Sequence, residues 1–340
     1  FARKNGVEYV ILDEGWSESL NIWKYHPSVD VPHIIRYANE RGVGIILWMA
    51  WAQAFGDEER VVSHFAKLGV KGFKVDFMDR GDAEVERFLW KFAEECRKHR
   101  MLVDYHGVHR PTGMSRAYPN VLNYEGVHGL EQMKWSSLAD FDQVTYDVQI
   151  PFIRMVAGPM DYTQGAMLNA TKSDFRAIDK RPMSQGTRCH QLAMYVVYDQ
   201  PLAMLCDSPT AYEKEPEYTQ FLAEIPTVWN QKVAGGGAIG EYIMVTAYAE
   251  DGSIYIAGLN GNTPHSVMLE WRFTDYDAES VEIWMDSEDD SADYQHLKFT
   301  WEEYSSLAVH NPIDINMAAG GGFVLKISRK SSSHGRKTKR

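Results

Sequence analysis

Lys74 and Asp76 stand two residues apart in the stretch KGFKVDFMDR (71–80), which otherwise has the pattern of a buried strand. Side chains two apart on a strand point the same way, so both charges are expected on one face. Burying a charged pair is costly unless something offsets the cost, so the pair indicates either a structural ion pair or a site of chemistry. In the second case Lys74 would keep Asp76 ionised by lowering its pKa, as a nearby opposite charge does.

Further residues that could do chemistry follow other apolar runs of the chain. They are, in order, Asp13, Glu14, Trp16, Trp48, Trp51, Asp79, Asp104, His106, Glu125, Glu131 and Asp161. Carboxylates and tryptophans gathered in one place would suit a sugar, because aromatic faces stack on the C–H patches of a pyranose while carboxylates accept its hydroxyls. Two carboxylates could also cut a glycosidic bond. One, ionised, attacks the anomeric carbon, and the other, with a pKa raised by burial and a negative neighbour, protonates the leaving oxygen.

Other kinds of site find less support in the residues. His106 and His109 have the i, i+3 spacing of some metal ligands, but zinc needs further ligands of the right kind, so His106 is more readily a partner of a hydroxyl or a carboxylate. Lys74 could form a Schiff base in an aldolase-type barrel, but that requires a depressed lysine pKa, and Asp76 acts in the opposite direction. The sequence has no nucleophile elbow, no GxGxxG after the first strand and no P-loop.

Composition argues against two classes of partner. The formal net charge of -12 is the wrong sign for nucleic acid, whose binding needs clustered Lys and Arg. No apolar run approaches the roughly 20 residues of a membrane span, so membrane insertion is not expected.

The elements that must position these residues alternate between strand and helix over residues 1–206. Apolar runs predict strands over 8–16, 43–51, 72–79, 101–107, 121–127 and 155–162. Helical spacing predicts helices over 29–42, 59–69 and 83–100, while 194–204 fits either a helix or a strand. The alternation predicts an α/β fold with a parallel sheet, and the repeat length suits a (β/α)8 TIM-type barrel. We count at most seven of the eight strands, the first being apparently missing.

The pattern changes after about residue 207. Runs such as YIMVTAYAE, SIYIAGLNG and GGFVLKIS, split by Gly, Asn and Asp, predict a C-terminal antiparallel β domain of sandwich type over 207–328. The boundary is expected within 207–235, with the glycines at 235–237 as a turn. The polar and basic residues 329–340 are expected to form a disordered tail.

Three segments carry a resemblance to a known family: EYVILDEGW (8–16), GFKVDFMD (72–79) and DYHGVHRPTGMSRAYPNVLNYEGVHGLE (104–131). They resemble glycoside hydrolase family 97, whose members are α-glucosidases and α-galactosidases from gut-type bacteria. The K-x-D strand is also similar to the wider group of retaining α-galactosidases. The resemblance covers residues 1–327, and the long block at 104–131 is its specific part.

The family divides by mechanism, and the resemblance implies the retaining, α-galactosidase-like branch. Retaining members carry an aspartate nucleophile at the end of the fourth strand, and Asp76 stands at that position. His106 and Gly107 stand where an inverting member is expected to offer a glutamate, and Glu131 matches the general acid/base of the family. An α-glucosidase of the same family and a non-catalytic sugar-binding fragment remain as alternatives. The residues expected to orient the sugar are Asp13, Trp16, Lys74 and His106.

The resemblance also implies a calcium ion. Glu125 matches a calcium-ligand position, and Glu131 and Asn123 are further candidate ligands. A hard cation of this kind takes several oxygen ligands at about 2.3–2.6 Å, which suits such residues.

The family further implies a partner domain. Its members have an N-terminal β-sandwich and a first barrel strand that are missing here, and we expect that sandwich to pack on the barrel. We also expect a periplasmic or secreted protein, although the first residues of this chain carry no readable targeting signal.

Overall fold

A sheet of five parallel strands forms the first part of the molecule. In the computed structural model the described residues are 1–135, 141–269, 276–289, 293–310 and 313–330. The strands of the first range are β1 (Tyr9–Leu12), β2 (Ser17–Glu18), β3 (Asn21–Tyr25), β4 (Gly44–Ala50), β5 (Gly72–Asp76), β6 (Leu102–Tyr105) and β7 (Val121–Tyr124). Strands β2 and β3 form a hairpin, and the other five pair in the order β1-β4-β5-β6-β7. Five predicted strands are thus confirmed.

The helices between these strands confirm the predicted alternation. They are α1 (Ala2–Asn5), α2 (Val31–Glu40), α3 (Glu58–Leu68) and α4 (Ala83–Lys98). Helix α2 begins where the Asp30 carboxylate accepts the backbone N–H of His33 at 3.0 Å, and α4 begins where Asp82 accepts the backbone N–H of Glu84 at 2.9 Å. The apolar faces of α2, α3 and α4 pack with the strands into one hydrophobic core, which holds the sheet in place.

The strand predicted over 155–162 is wrong. Residues Met155–Ala157 form a 3-10 helix, and an extended segment follows Gly158, whose φ of 128° is left-handed. That segment keeps only isolated sheet-like bonds, from the Asp161 N–H to the Tyr124 carbonyl at 3.0 Å and from the Met160 N–H to the Asp199 carbonyl at 3.1 Å. The apolar pattern of this segment reflects burial rather than a strand ladder. The parallel sheet of the described residues therefore has five strands and not seven.

Helices dominate the middle of the chain. The elements here are α5 (Gln143–Ile153), β8 (Asn169–Ala170), β9 (Ser184–Gln185), α6 (Arg188–Val197), α7 (Pro209–Tyr212) and α8 (Pro216–Glu224). The ambiguous stretch 194–204 therefore begins inside a helix, which Thr187 caps by accepting the His190 N–H at 3.1 Å. Every residue of α6 is buried, and this explains why its sequence lacks a polar face.

The C-terminal part is an antiparallel β structure, as predicted. Its elements are β10 (Gln231–Ala238), β11 (Tyr242–Tyr248), β12 (Ile254–Asn260), β13 (His265–Leu269), β14 (Ala278–Met285), β15 (Gln295–Thr300), α9 (Trp301–His310), β16 (Ile313–Met317) and β17 (Gly322–Arg329). Six strands pair in the order β10-β11-β12-β17-β14-β15, and β13 pairs with β16. The glycines at 235–237 lie within β10 beside a register shift, so the predicted turn is wrong there. The predicted disordered tail lies, from residue 331 onward, outside the described residues.

One face of the C-terminal sheet packs on α5 and α6, which joins it to the middle of the chain. Asp286 marks this junction: its Oδ1 accepts the Thr187 hydroxyl at 2.6 Å, and its Oδ2 accepts the backbone N–H groups of Ala318 and Gly322, each at 2.9 Å. Over the described ranges, no helix combines the length and apolarity that crossing a membrane requires.

Candidate active site

Two rows of polar side chains cross the carboxyl ends of β5, β6 and β7. Register pairs Trp48 with Lys74, Lys74 with Asp104, and Asp104 with Asn123. We call these four residues the inner row. Two positions further along the same three strands lies the outer row, made of Asp76, His106 and Glu125. Because side chains two apart point the same way, both rows face one side of the sheet.

The ion pair expected between Lys74 and Asp76 is not formed. The Lys74 Nζ instead lies 3.0 Å from Oδ2 of Asp13, which directly follows β1. Burial lowers the pKa of Lys74, but the charges of Asp13, Asp161 and Asp104 outweigh it and raise the pKa above its usual value. Burial in turn raises the pKa of Asp13, and Lys74 and the backbone N–H of Glu14 bring it below its usual value. Both groups are therefore charged at neutral pH.

A buried trio of Asp104, His106 and Asp161 lies beneath this pair. The His106 Nε2 is 2.6 Å from Asp161 Oδ2, and the three side chains are at most 2% exposed. Burial lowers the pKa of His106, yet the two carboxyl groups raise it to about 10, so the imidazole is a cation. Burial and the Asp161 charge raise the pKa of Asp104 well above its usual value. Burial also raises the pKa of Asp161, but the His106 and Lys74 cations bring it below its usual value, so the two carboxyl groups are shifted in opposite directions.

Asp76 is held by donors from two segments. The Trp48 indole N–H donates to Asp76 Oδ2 at 3.0 Å, and the backbone N–H of Phe77 donates to Oδ1 at 2.6 Å. Gly107 lies against the same carboxylate, where a Cβ would come 2.8 Å from the Phe77 nitrogen and 3.0 Å from Asp76 Oδ1. Glycine is therefore required at 107, which also has a φ of 55°.

Two glutamates complete the acidic part of the site. Glu125 directly follows β7, and its Oε2 accepts the backbone N–H of Gly107 at 2.8 Å. Burial raises the pKa of Glu125, the His106 cation lowers it, and the charges of Glu131 and Asp76 raise it further, so the pKa ends above its usual value. The three carboxylates thus act on one another electrostatically. Ligand atoms of Asp76, His106 and Glu125 all lie within 4.8 Å of one another, so the two carboxyl groups could hold a metal ion, and His106 could join them only after losing its proton.

A cavity of about 730 Å³ opens beside these rows. Asp13, Lys74 and Glu131 line it, and β1 and the segment 201–207 form its walls. The volume is in the range typical of small-molecule sites. A sugar ring held there would meet the Lys74 and Lys134 side chains and carboxyl groups that include those of Asp13 and Glu131.

Trp16 does not share this setting. Its side chain is 3% exposed and packs in the core, where its indole N–H donates to the Trp48 carbonyl at 2.8 Å. Trp48 likewise acts through its N–H rather than as a stacking face, since it is 5% exposed. The structure thus brings Asp13, Lys74, Asp76 and His106 together with both glutamates and leaves Trp16 beneath them.

Sequence reasoning missed one residue that organises the site. Arg154, at the end of α5, is 8% exposed and donates to five backbone carbonyls. No repeated pattern marks it. By contrast the spacing K-x-D, D-x-H and N-x-E at three successive strand ends was a visible signal for both rows.

Comparisons with known proteins identify the family of the chain. The family model described as "Glycoside hydrolase 97" matches residues 1–127, and that described as "Glycosyl-hydrolase 97 C-terminal, oligomerisation" matches residues 228–328. The fold and the site define a barrel-type domain with carboxylates at the carboxyl ends of its strands. The chain belongs to glycoside hydrolase family 97.

Two curated relatives are similar in sequence to most of this chain. A retaining alpha-galactosidase of Bacteroides thetaiotaomicron is 47% identical over 332 residues, covering 96% of this chain and 49% of that protein. A probable retaining alpha-galactosidase of Streptomyces bingchenggensis is 29% identical over 279 residues, covering 80% of this chain and 41% of that protein. The chain spans about half the length of these relatives.

A solved structure of a family 97 enzyme from Pseudoalteromonas sp. strain K8 is similar in fold. It superposes with a TM-score of 0.82 at 21% identity and covers 96% of this chain and 54% of the other. At this identity the likeness concerns the fold alone.

Proposed function

We propose that the protein is a retaining exo-acting α-galactosidase. The observation that carries the proposal is the position of the Asp76 carboxylate, which accepts two N–H groups. Its charge and that of Glu131 both act on Glu125, so the three carboxyl groups belong to one site. The 47% identity to a retaining alpha-galactosidase supports the choice of substrate. Most glycoside hydrolases use a pair of Asp or Glu residues as their catalytic groups.

The proposed reaction has two displacements. An oxygen of Asp76 attacks the anomeric carbon while the bond to the leaving oxygen breaks, and that oxygen takes a proton from Glu131. Water then attacks the same carbon and gives a proton to Glu131. The bond between that carbon and the Asp76 oxygen breaks in this step, so Asp76 leaves as a carboxylate. The retaining course requires the two carboxyl groups to lie about 5–5.5 Å apart, and this separation remains a prediction.

The sugar would be oriented mainly by charged groups. Lys74 and Asp13 line the cavity as a salt bridge, so they offer a donor and an acceptor to neighbouring hydroxyls. His106 would act indirectly, because its two ring nitrogens face the carboxyl groups of Asp161 and Glu125 and so help to fix their positions. Trp16, which was expected to contact the sugar, supports Trp48 from the core instead.

We also propose that calcium binds at Glu125 and Glu131. The mutual repulsion of Glu131, Glu125 and Asp76 supports this, because a cation would offset it. The side-chain amide oxygen of buried Asn123, two residues before Glu125, has no hydrogen-bond partner and is a further candidate ligand. Calcium would supply positive charge to the acidic side of the site. Titration with Ca²⁺ should raise the unfolding temperature of the wild type and not that of Glu125→Gln; equal effects on both proteins would argue against the site.

Replacement of Asp76 by glycine tests the catalytic proposal. Hydrolysis of p-nitrophenyl α-galactoside should fall by at least about a thousandfold, since the nucleophile is removed. Added azide should restore turnover and give the β-galactosyl azide, because one displacement then replaces two. NMR of the product anomer in the wild type should show retention.

Asp79→Gly is the matched control, since Asp79 is exposed three residues further on and has a φ of 47°, which glycine adopts freely. Full activity of Asp76→Gly would overturn the nucleophile assignment. Faster turnover of the α-glucoside than of the α-galactoside would favour the α-glucosidase alternative, and binding without turnover would favour a sugar-binding protein.

A further inference from the structure

Phe77, the residue after Asp76, has a backbone conformation that is unusual for its type. Its φ is 62°, in the left-handed region that bulky residues rarely adopt. Such strain persists only where the surroundings impose it, and it concentrates at functional sites. The question is what the molecule gains by placing a phenylalanine there.

Three contacts impose the conformation. The Phe77 N–H donates to its neighbour's carboxylate, and the Asp79 N–H donates to the Gly107 carbonyl at 2.7 Å. Met78 between them is 2% exposed and anchors the segment in the core. The absence of a side chain at Gly107 leaves the room that the turned backbone needs.

The turned backbone changes the direction of the Phe77 ring. In a continued strand this side chain would point away from Asp76, because successive side chains alternate. Instead its ring lies edge-on against Trp48, with centroids 5.2 Å apart, and Trp48 is the inner-row residue that holds Asp76. The ring therefore lies on the side of the site, and the residue remains 50% exposed.

We propose that Phe77 is the surface on which the leaving-group ring of the substrate packs. This inference rests on the proposed function. Phe77 directly follows Asp76, the last residue of β5, and its side chain is half exposed, whereas Lys74, two residues before Asp76 on the same strand, lines the cavity together with Asp13. In an exo-acting enzyme the terminal sugar occupies the inner position, so the group that leaves meets the outer one. A sugar or aryl ring offers the flat apolar face that an exposed aromatic side chain accepts.

The test compares substrates with and without a leaving-group ring in the full-length enzyme. Melibiose carries a sugar as leaving group, whereas α-galactosyl fluoride carries a single atom. In Phe77→Gly the ratio of kcat/KM for melibiose to kcat/KM for the fluoride should fall about tenfold, which corresponds to a contact of ~1.4 kcal/mol. Phe77→Tyr should keep the ratio, because it keeps the ring.

Arg100→Gly is the matched control for the backbone. Arg100 is exposed, has a φ of 55° and lies at the opposite end of the strand repeat, before β6. Both glycine variants should unfold at the same temperature as the wild type or higher, since glycine relieves the strain at each position. Only Phe77→Gly should change the substrate ratio.

The outcomes separate this inference from the proposed function. An unchanged ratio in Phe77→Gly, or equal losses on both substrates, would overturn the role of Phe77 while leaving the galactosidase proposal intact. A wild-type enzyme that cleaves neither galactoside would overturn both.

Discussion

At the scale of single residues, the orientation of Asp76 depends on one group that is distant in sequence and on one that is adjacent to it. Its two oxygens accept one N–H from the Trp48 side chain and one from the Phe77 backbone. Lys74, which lies two residues before Asp76 on the same strand, forms its salt bridge with Asp13 instead. The Asp76 side chain is therefore oriented by an indole N–H and a backbone N–H rather than by an ion pair with Lys74.

Replacement of Trp48 by phenylalanine should lower kcat/KM about 10- to 100-fold. The change keeps an aromatic ring but removes a hydrogen bond to a charged acceptor, which is typically worth about 1.5–3 kcal/mol. The measurement is kcat/KM for p-nitrophenyl α-galactoside together with the unfolding temperature. Trp90→Phe, on the exposed side of α4, is the control and should retain full activity. Wild-type activity in a folded Trp48→Phe enzyme would show that the bond does not matter to the reaction.

At the scale of elements, Arg154 joins the end of α5 to the segments on both sides of the site. Its guanidinium donates to the carbonyls of Tyr124, Glu125 and Gly126 after β7, and to those of Gly158 and Pro159 before Asp161. Burial lowers the pKa of Arg154 to about 10, and no carboxylate forms an ion pair with it among the described residues. Carbonyl dipoles therefore carry the whole stabilisation of this cation.

Replacement of Arg154 by methionine should lower the free energy of unfolding by roughly 2–4 kcal/mol, because buried carbonyls lose their donor. The methionine variant should also have a lower kcat, because the segments on both sides of the site lose their common donor. Arg154→Lys should recover part of this loss in kcat but not all of it, since an ammonium has three donors and no planar fork. Urea unfolding and steady-state kinetics measure the two effects. Arg176→Met is the control, because exposed Arg176 donates to only two carbonyls. A Met variant as stable and active as this control would contradict the positioning role.

At the scale of the whole molecule, the C-terminal sheet is locked to the middle of the chain by buried polar contacts. Besides Asp286, the ring of His190 lies between Gly321, whose carbonyl is 2.9 Å from Nδ1, and Asp147, whose Oδ2 is 3.2 Å from Nε2. Lys232 on β10 donates to the Tyr198 carbonyl at 2.6 Å. Such contacts couple the two parts, so we expect them to unfold together.

Lys232 makes this junction sensitive to pH. Burial lowers its pKa to about 8 from an ordinary value of 10.5, although Asp199 partly opposes the shift. Between about pH 8 and 10.5 the unfolded chain keeps a proton that the folded protein has lost, so the free energy of unfolding should rise over this window. The contribution amounts to at most ~3 kcal/mol.

Urea unfolding across that window should show the rise as a difference between the wild type and Lys232→Met, since other titrations cancel in the comparison. Exposed Lys214→Met provides the control and should follow the wild type. Parallel curves for wild type and Lys232→Met would mean that Lys232 titrates normally in the folded protein.

Local patterns in the sequence predicted helices α2, α3 and α4, the five parallel strands and the shared strand face of Lys74 and Asp76. Each depends on spacing along the chain: three to four residues for the amphipathic helices, and two for side chains such as Lys74 and Asp76 that share a strand face. The family followed from the same local segments, and the assignment of Asp76 as nucleophile stays a prediction that the resemblance implies. The strand predicted over 155–162 failed because an apolar run signals burial, and burial is common to strands and to irregular segments.

The choice of partners was decided only by the tertiary structure. Lys74 meets Asp13 rather than Asp76, Asp76 meets Trp48, and the ring of Trp16 lies in the core. These contacts join residues on different strands, and strand register and packing, rather than spacing along the chain, bring them within bonding distance. The raised pKa values of His106 and Asp104 follow in turn, because a pKa depends on the burial and the neighbouring charges that folding creates.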